Sequence, residues 1–368
     1  MIKYIYIENF KSIKRIDIPL ENLTLLFGMN GMGKSSVIQS ILLCRQSFWD
    51  NGNEDMGTLI INGNLIELGT ADDIFCSNAE NDILRFHFDY TDNPSLDFRY
   101  SFDETDIHEN YMDAMDSIDI SEEYYSMFGY DFTYLSAEHL GPRRKYDYSK
   151  WIDRRLNKIG AHGEYAVPFL AMNGDSFKVP KELCLDTGRT YGLIDQVSAW
   201  MDKISPGVKL SAELISKDQE ARLNISYAER RFMSKSYTPV NVGFGVPYVL
   251  PIIVTLLTAT DTSLILIENP ESHLHPKGQT AMAELISRAA AYGAQIICES
   301  HSDHIINGVR VAVKEKTIDK KDVSVVYFSK DSDMNTIGTN ISIDDEGNLD
   351  DYPDGLLDEW GDLMSKLI

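Results

Sequence analysis

Gly28-Met29-Asn30-Gly31-Met32-Gly33-Lys34-Ser35 fits the pattern G-x-x-x-x-G-K-[ST] in full. The residues before it, Leu23-Thr24-Leu25-Leu26-Phe27, read as a short buried strand. Those after it, from Lys34 to about Phe48, read as a helix with apolar positions at Val37, Ile38, Ile41, Leu42 and Leu43. A strand, a glycine-rich turn and a helix in that order make a phosphate-binding loop. The glycines let backbone N–H groups converge on phosphate oxygens without Cβ clashes, and the helix N-terminus adds its partial positive charge. Lys34 is expected to reach the β- and γ-phosphates, and the Ser35 hydroxyl to ligate Mg2+. The expected cofactors are therefore ATP and Mg2+, held by Gly28, Asn30, Gly31, Gly33, Lys34, Ser35 and Ser36.

Outward from this loop, residues 1–140 read as strand-rich. Ile2 to Ile7 alternates, and Ile83–Tyr90 and Leu96–Phe102 alternate with period two around Thr91-Asp92-Asn93-Pro94, a hairpin signature. Acids crowd between Asp103 and Glu123, including Glu104, Asp106, Asp119 and Glu122, as an exposed insertion or a docking surface for a basic partner. Residues 141–240 mix basic helical segments with a strand pair near Lys209 to Ser226 and carry no motif assigned to chemistry. Residues 241–368 alternate between strand and helix: strand Ser263–Glu268, helix His275–Tyr292, strand Ala294–Glu299, helix Asp303–Lys316, strand Val323–Phe328. That alternation predicts an α/β lobe built on a parallel sheet.

Composition narrows the function classes. The chain has 368 residues, 43% hydrophobic and 25% charged, which is ordinary for a globular protein. No secretory leader is read at the N-terminus, and the four cysteines (Cys44, Cys76, Cys184, Cys298) have no metal-like spacing, so a cytoplasmic protein with reduced thiols is expected. Asn241 to Thr260 carries no charge but is broken by Gly243, Gly245, Pro247 and Pro251, so a buried helix from about Tyr248 is expected and no membrane partner. The net charge of −23 argues against wrapping nucleic acid over the whole surface. Arg143, Arg144, Lys145, Lys150, Arg154, Arg155 and Lys158 leave a local DNA patch open, beside the plainer reading of a solvated helix face.

Three further motifs lie downstream. Leu264-Ile265-Leu266-Ile267 ends in Glu268-Asn269-Pro270-Glu271, a buried strand delivering a carboxylate at its C-terminal edge, as a Walker B motif requires for Mg2+. Ser35 and Glu268 are thus the expected metal ligands. His301, in Cys298-Glu299-Ser300-His301-Ser302, follows the next buried strand, where a histidine can hydrogen-bond a γ-phosphate or the attacking water. Asn241-Val242-Gly243-Phe244-Gly245 opens an apolar helix, and two glycines there make an anion-binding N-terminus. Asp331-x-Asp333 and Asp344-Asp345-Glu346 read as turn and loop acids rather than metal ligands.

The order of these motifs resembles an ABC-type ATPase of the RecF/SMC-like branch. Ile5-Tyr6-Ile7-Glu8-Asn9-Phe10-Lys11-Ser12 is similar to that branch's "I-x-N-F-K-S" opening. The rest resembles a family of short bacterial ATPases of unknown function, related to the ATPase part of the overcoming-lysogenization-defect (OLD) proteins. The matching segments are Tyr134–Glu138, Gly163-Glu164-Tyr165, Val242–Val246, Glu268–Pro276, Glu299–Asp303 and Pro353–Glu359. The resemblance implies an ABC-type head with an antiparallel β subdomain, an inserted mixed or helical middle region and a parallel-sheet C-terminal lobe. It also implies an ATP-sandwiched homodimer or higher oligomer in which Gly243 and Gly245 touch the γ-phosphate across the dimer, a D-loop at Ser272–His275 and a switch histidine at His301. It further implies a partner effector such as a nuclease, in defence against phage or foreign DNA. A RecF-like DNA-clamping ATPase and a nearly inert ATP-sensing scaffold are the alternatives. One departure stands out: Asn269 occupies the usual position of the catalytic Glu, and Asn cannot act as a general base. Either Glu271 takes over, or hydrolysis is slow and ATP is mainly a switch, or a base comes from elsewhere. Gln39 and Gln46 are candidates for contacting water or Mg2+.

Overall fold

The structure is a computed structural model that describes residues 1–368 except 53–55, 104–106, 117, 119, 121–124, 149–156, 158, 216, 218, 230, 231, 244, 354, 358–364, 367 and 368. Outside the described residues therefore lie Glu104, Asp106, Asp119, Glu122 and Glu123 of the acidic run, and Lys150, Arg154, Arg155 and Lys158 of the basic set. Phe244, Asp354, Asp358 and Glu359 lie outside them too.

The chain begins with β1 (Ile2–Phe10), β2 (Ile13–Pro19), β3 (Leu23–Gly28), α1 (Lys34–Asp50), β4 (Thr58–Ile60), α2 (Ala71–Ile74), β5 (Ile83–Tyr90), β6 (Leu96–Ser101) and β7 (Tyr111–Asp113). Next come β8 (Phe132–Leu135), β9 (Tyr146–Asp147), α3 (Ala166–Asn173), α4 (Leu193–Ile204), β10 (Val208–Ile215), β11 (Glu220–Glu229) and β12 (Phe232–Met233). The last elements are α5 (Gly245–Leu257), β13 (Leu264–Glu268), α6 (Pro276–Tyr292), β14 (Gln295–Glu299), α7 (Asp303–Lys314), β15 (Val323–Lys330) and β16 (Thr336–Ile341). They fall into two compact units, one of Met1–Phe132 with Lys320–Ile368, the other of Thr133–Asp319.

In the first unit an antiparallel sheet runs β2-β1-β5-β6. The alternation in β5 explains its placement. Leu84, Phe86, Phe88 and Tyr90 are buried, while Arg85, His87 and Asp89 face outward, where Arg85 pairs with Asp97 at 2.6 Å. A second ladder runs β16-β15-β3. Here β15 lies parallel to β3, from Val323 opposite Leu23 to Phe328 opposite Gly28, and β16 returns antiparallel. The five residues Leu23 to Phe27 are all buried, the continuous pattern of a strand covered on both faces. Helix α1 is enclosed almost all round. Its Arg45 is fully buried, and the guanidinium donates to Met127 O and to Gly129 O at 3.0 Å and stacks 4.0 Å over the Phe132 ring. A buried charge is tolerable there because its donors are paired.

In the second unit β10 and β11 form a hairpin, with β9 and β12 also on β11. Strands β13 and β14 are parallel, Leu264 opposite Gln295 and Glu268 opposite Glu299, and β8 flanks β13. Helix α6 follows β13 and α7 follows β14, the connection that parallel pairing needs. Every residue from Val246 to Leu257 in α5 is buried, which accounts for its apolar run. Among the described residues no helix is long and apolar enough to cross a membrane. All four cysteines are free.

The mixed α/β architecture read from the sequence is present, with its antiparallel sheet, mixed middle region and parallel pairing. Boundaries differ by a few residues. Helix α5 starts at Gly245 rather than near Tyr248 and carries Pro251 inside it. The strand pair near Lys209 to Ser226 is longer, at Val208–Ile215 with Glu220–Glu229.

Candidate functional site

The phosphate loop belongs to the first unit. Strand β3 ends at Gly28, whose φ is +135°, and a Cβ there would come within 2.4 Å of Phe328 O in β15. Gly31 and Gly33 follow with φ of +77° and +102°. Only glycine adopts these conformations readily. Gly33 is the N-cap of α1, so no cap side chain competes for the first-turn N–H groups, and no acid stands in that turn. The Lys34 side chain is buried and folds back on the loop, its Nζ donating to Gly28 O and Met29 O at 2.9 Å each. Asn30 and Gly31 are exposed, Ser35 is half-buried and Ser36 is buried.

The end of β1, the turn after it and helix α1 are tied to neighbouring elements. Asn9 donates through Nδ2 to Ile83 O at 2.9 Å. Lys11 donates through Nζ to Gln39 Oε1 on α1 at 2.7 Å. The Ser12 hydroxyl lies 2.9 Å from Thr336 Oγ1. Gln46 donates to Ile60 O at 2.8 Å and accepts from Ile66 N at 3.2 Å. Both glutamines named as water or Mg2+ contacts are thus engaged in holding neighbouring segments.

The carboxylates belong to the second unit. At the end of β13, Glu268 Oε1 accepts from the Tyr134 hydroxyl at 3.2 Å and Oε2 from the Ala137 N–H at 3.0 Å. Burial pushes the Glu268 carboxyl up to about 7 and the charge of Glu299 opposite it adds to this, against the pull of the two hydrogen bonds. Asn269 has a φ of +49° and donates its N–H to Glu299 O at 2.9 Å. Its Oδ1 is buried and, among the described residues, accepts no hydrogen bond. Glu271 reaches the loop after β14, accepting from the Ser300 hydroxyl on Oε2 and from the His301 N–H on Oε1, both at 2.8 Å. The His301 ring is exposed, with Nε2 4.0 Å from Glu299 Oε1. Ser302 caps α7, accepting from His304 N at 3.1 Å and Ile305 N at 3.4 Å.

The strap after β8 ties this group together. Ala137 O accepts from the Tyr248 hydroxyl on α5 at 2.8 Å. His139 stacks on the Tyr248 ring at 4.3 Å, and its Nδ1 lies 2.9 Å from Tyr248 O. Burial pushes this imidazole down to about 4, so it is neutral at physiological pH with Nδ1 donating. Gly163 lies against Pro251 of α5, where a Cβ would come within 2.4 Å of its ring. The glycine-opened helix also meets the loop after β13: a Cβ on Gly245 would stand 2.9 Å from His273 O, whereas one on Gly243 would meet open space. A cavity of about 410 Å³ lies there, lined by Gly243, Gly245, Val246, His273, His275 and Lys277 among others. Reasoning from sequence alone missed Tyr134, Ala137 and Tyr248. Its one usable signal was the Tyr134–Glu138 stretch, a family match without a role.

The donors fit Mg2+ in chemistry: a hydroxyl and a carboxylate are hard oxygen ligands. Glu268, facing Glu299 in a buried place, is a carboxylate that a cation would relieve. Asp331 and Asp344 instead close turns, accepting from the N–H groups of Asp333 and Asn335, and of Glu346 and Asn348. Of the basic set, Arg143 and Arg144 are exposed, and Lys145 pairs with Glu220 at 2.6 Å.

A strand-to-helix phosphate loop in the first unit, and a carboxylate at the end of a buried parallel strand and a histidine after the next strand in the second, are the motifs of an ABC-type ATPase-like fold. The chain belongs to the family described as "AAA domain, putative AbiEii toxin, Type IV TA system", which matches residues 23–307. Residues 318–367 match a second family, "Protein of unknown function (DUF3696)". No curated protein matches the chain. Among solved structures, an SMC head bound to the C-winged helix domain of ScpA shares the fold at a TM-score of 0.53 and 12% identity, over 93% of this chain and 98% of that one. An Smc head domain with an extended coiled coil, bound to the C-terminal domain of ScpA derived from Pyrococcus furiosus, gives 0.52 and 13%, over 100% and 99%. At these identities the likeness is one of fold.

Proposed function

We propose that this chain binds ATP with Mg2+, hydrolyses it slowly or when a partner engages, dimerises around the nucleotide and regulates an effector in bacterial defence. The observation that carries the nucleotide part is the loop at Gly28–Ser35, with three left-handed glycines and a lysine whose ammonium rests on the loop's own carbonyls. Incoming phosphates would draw that ammonium away from Gly28 O and Met29 O. Ser35 and Glu268 would hold Mg2+, and Gly243 and Gly245 would meet the γ-phosphate carried by a second copy. His301 would hydrogen-bond the γ-phosphate or its attacking water. Along the sequence, 1–140 would serve as the N-terminal ATPase lobe, 141–240 as an inserted region and 241–368 as the C-terminal lobe, of which Lys320–Ile368 packs within the first unit. The family's description in terms of a toxin–antitoxin system supports a defence role; a cytoplasmic setting is part of the same proposal. SMC heads solved with ScpA domains support docking of a protein partner.

The test is phosphate release from ATP and Mg2+ by the purified protein, with Lys34→Ala as the blank. Turnover above the blank supports the reading. A wild-type protein that neither binds nor hydrolyses ATP ends it. A second reading, ATP as a switch with little turnover, is favoured by Asn269 at the usual base position and by the engagement of both Glu271 oxygens. Tight ATP binding without turnover, even with a co-purifying partner present, would select it. Salt-steep, ATP-dependent DNA binding would instead select a DNA-clamping role.

A further inference from the structure

The segment matched only by a family of unknown function contains β15 and β16. Two of its atoms crowd the phosphate loop. Phe328 O would be 2.4 Å from a Cβ on Gly28, and Thr336 Oγ1 would be 2.5 Å from a Cβ on Gly33. Real Cβ atoms do not approach so closely, so the two glycines are required by these neighbours as well as by their φ angles.

Thr336 is 2% exposed although its side chain is polar. Its hydroxyl lies 2.9 Å from the Ser12 hydroxyl and accepts from Lys330 Nζ at 3.0 Å. Its N–H donates to Ser12 O at 2.8 Å. The turn that delivers it is closed by Asp331, which accepts from Asn335 N at 2.8 Å. Ser12 belongs to the Asn9-Phe10-Lys11-Ser12 motif at the other end of the chain. Two segments more than 300 residues apart thus meet beside Gly33, the N-cap of α1.

We propose that Ser12 and Thr336 form a clamp that fixes the Gly33 peptide and thereby sets the affinity of the loop for nucleotide phosphates. The segment of unknown function is then the floor of the phosphate loop. The reason is steric and directional. The Thr336 side chain fills the space where a residue-33 side chain would stand, so the loop cannot sink toward β16. The hydroxyl bonds keep that side chain in one rotamer, and a loop held in its binding conformation loses less entropy on binding. Both are positioning residues and need not touch the ligand.

The inference rests on the nucleotide reading above, and the experiment separates the two. ATP affinity in Mg2+ is measured by calorimetry for the wild type, Lys34→Ala, Thr336→Val, Thr336→Ser and Ser12→Ala, alongside the melting temperature of each ligand-free protein. Thr336→Val keeps the volume and removes the hydroxyl. It should weaken ATP binding by about tenfold, the effect of losing one or two buried hydrogen bonds. Thr336→Ser should stay within about twofold of the wild type. Ser12→Ala should weaken binding too, and combining it with Thr336→Val should add little. Faster hydrogen exchange at Gly31 to Ser35 should accompany the loss. Failure of the wild type to bind ATP would overturn the nucleotide reading. A wild type that binds, with Thr336→Val or Ser12→Ala binding equally well, would overturn the clamp. Should Thr336→Val fail to fold, Ser12→Ala decides alone.

Discussion

Glu271 and His301 stand on loops that follow different strands, and Glu271 Oε1 accepts the His301 backbone N–H at 2.8 Å while Oε2 accepts the Ser300 hydroxyl at the same distance. The carboxylate therefore fixes the backbone that carries the histidine. Glu271→Gln should reduce phosphate release roughly ten- to hundredfold with little change in ATP affinity, as removal of supporting groups does elsewhere. Ser300→Ala separates the roles. If Glu271 acts by holding the loop, Ser300→Ala reproduces part of the loss. If Glu271 is the base, Ser300→Ala leaves turnover intact.

Glu268 carries a pH signature. Its carboxyl sits at about 7 in the folded chain, against an ordinary value near 4.5, chiefly through burial. Between those two values the folded state holds a proton that the unfolded state has released. The contribution to stability is complete below about pH 4.5 and is lost as pH rises toward 7. Denaturation of the wild type minus Glu268→Gln should show this as a fall on the order of 3 kcal/mol across that window. Under the proposed role of Glu268 as a ligand, Mg2+ binding has the opposite slope, since it needs the carboxylate. Affinity should climb about tenfold per pH unit below 7 and level off above it. A flat difference between wild type and variant would remove Glu268 as a buried titrating ligand.

Tyr134→Phe deletes the donor at 3.2 Å from Glu268 Oε1 and leaves the Ala137 N–H in place. With less support for the charged form, the carboxyl should rise further. The Mg2+ requirement for turnover should therefore increase several-fold at pH 7 and approach the wild type at pH 8.5. An equal deficit at both pH values would point to disturbed packing instead.

Arg45→Met tests the enclosed guanidinium of α1. The substitution keeps much of the stem but leaves the carbonyls of Met127 and Gly129 without their donor. Urea denaturation should show a loss of about 3 kcal/mol, from two unsatisfied buried acceptors and a partial cavity. A loss below about 0.5 kcal/mol would mean the carbonyls find other donors.

The strand, turn and helix around Gly28–Ser35 were legible because each part is local: a buried run, three glycines, a 3.6-residue period. The β5–β6 hairpin was legible for the same reason, and its second strand ends one residue earlier than read, at Ser101. What was illegible depends on distance. Nothing near Tyr134 announces a carboxylate 134 residues downstream, and nothing near Thr336 announces Ser12. The start of α5 at Gly245 was hidden by Gly243, Gly245 and Pro247, helix-breaking types that moved the expected start of the buried helix to about Tyr248. Gln39 and Gln46 show the converse. Their residue type fits catalysis, and only their partners show them engaged elsewhere.

The pairing of β15 with β3 has a consequence for how the protein is made. The loop encoded at residues 28–35 leaves the ribosome well before its neighbours, since the strand beside it begins at Val323 and the hydroxyl beneath it arrives with Thr336. A nascent chain that has emitted the whole of α1 still lacks that flank. Nucleotide capture should thus wait until Thr336 has emerged, a delay set by the order of the strands along the chain.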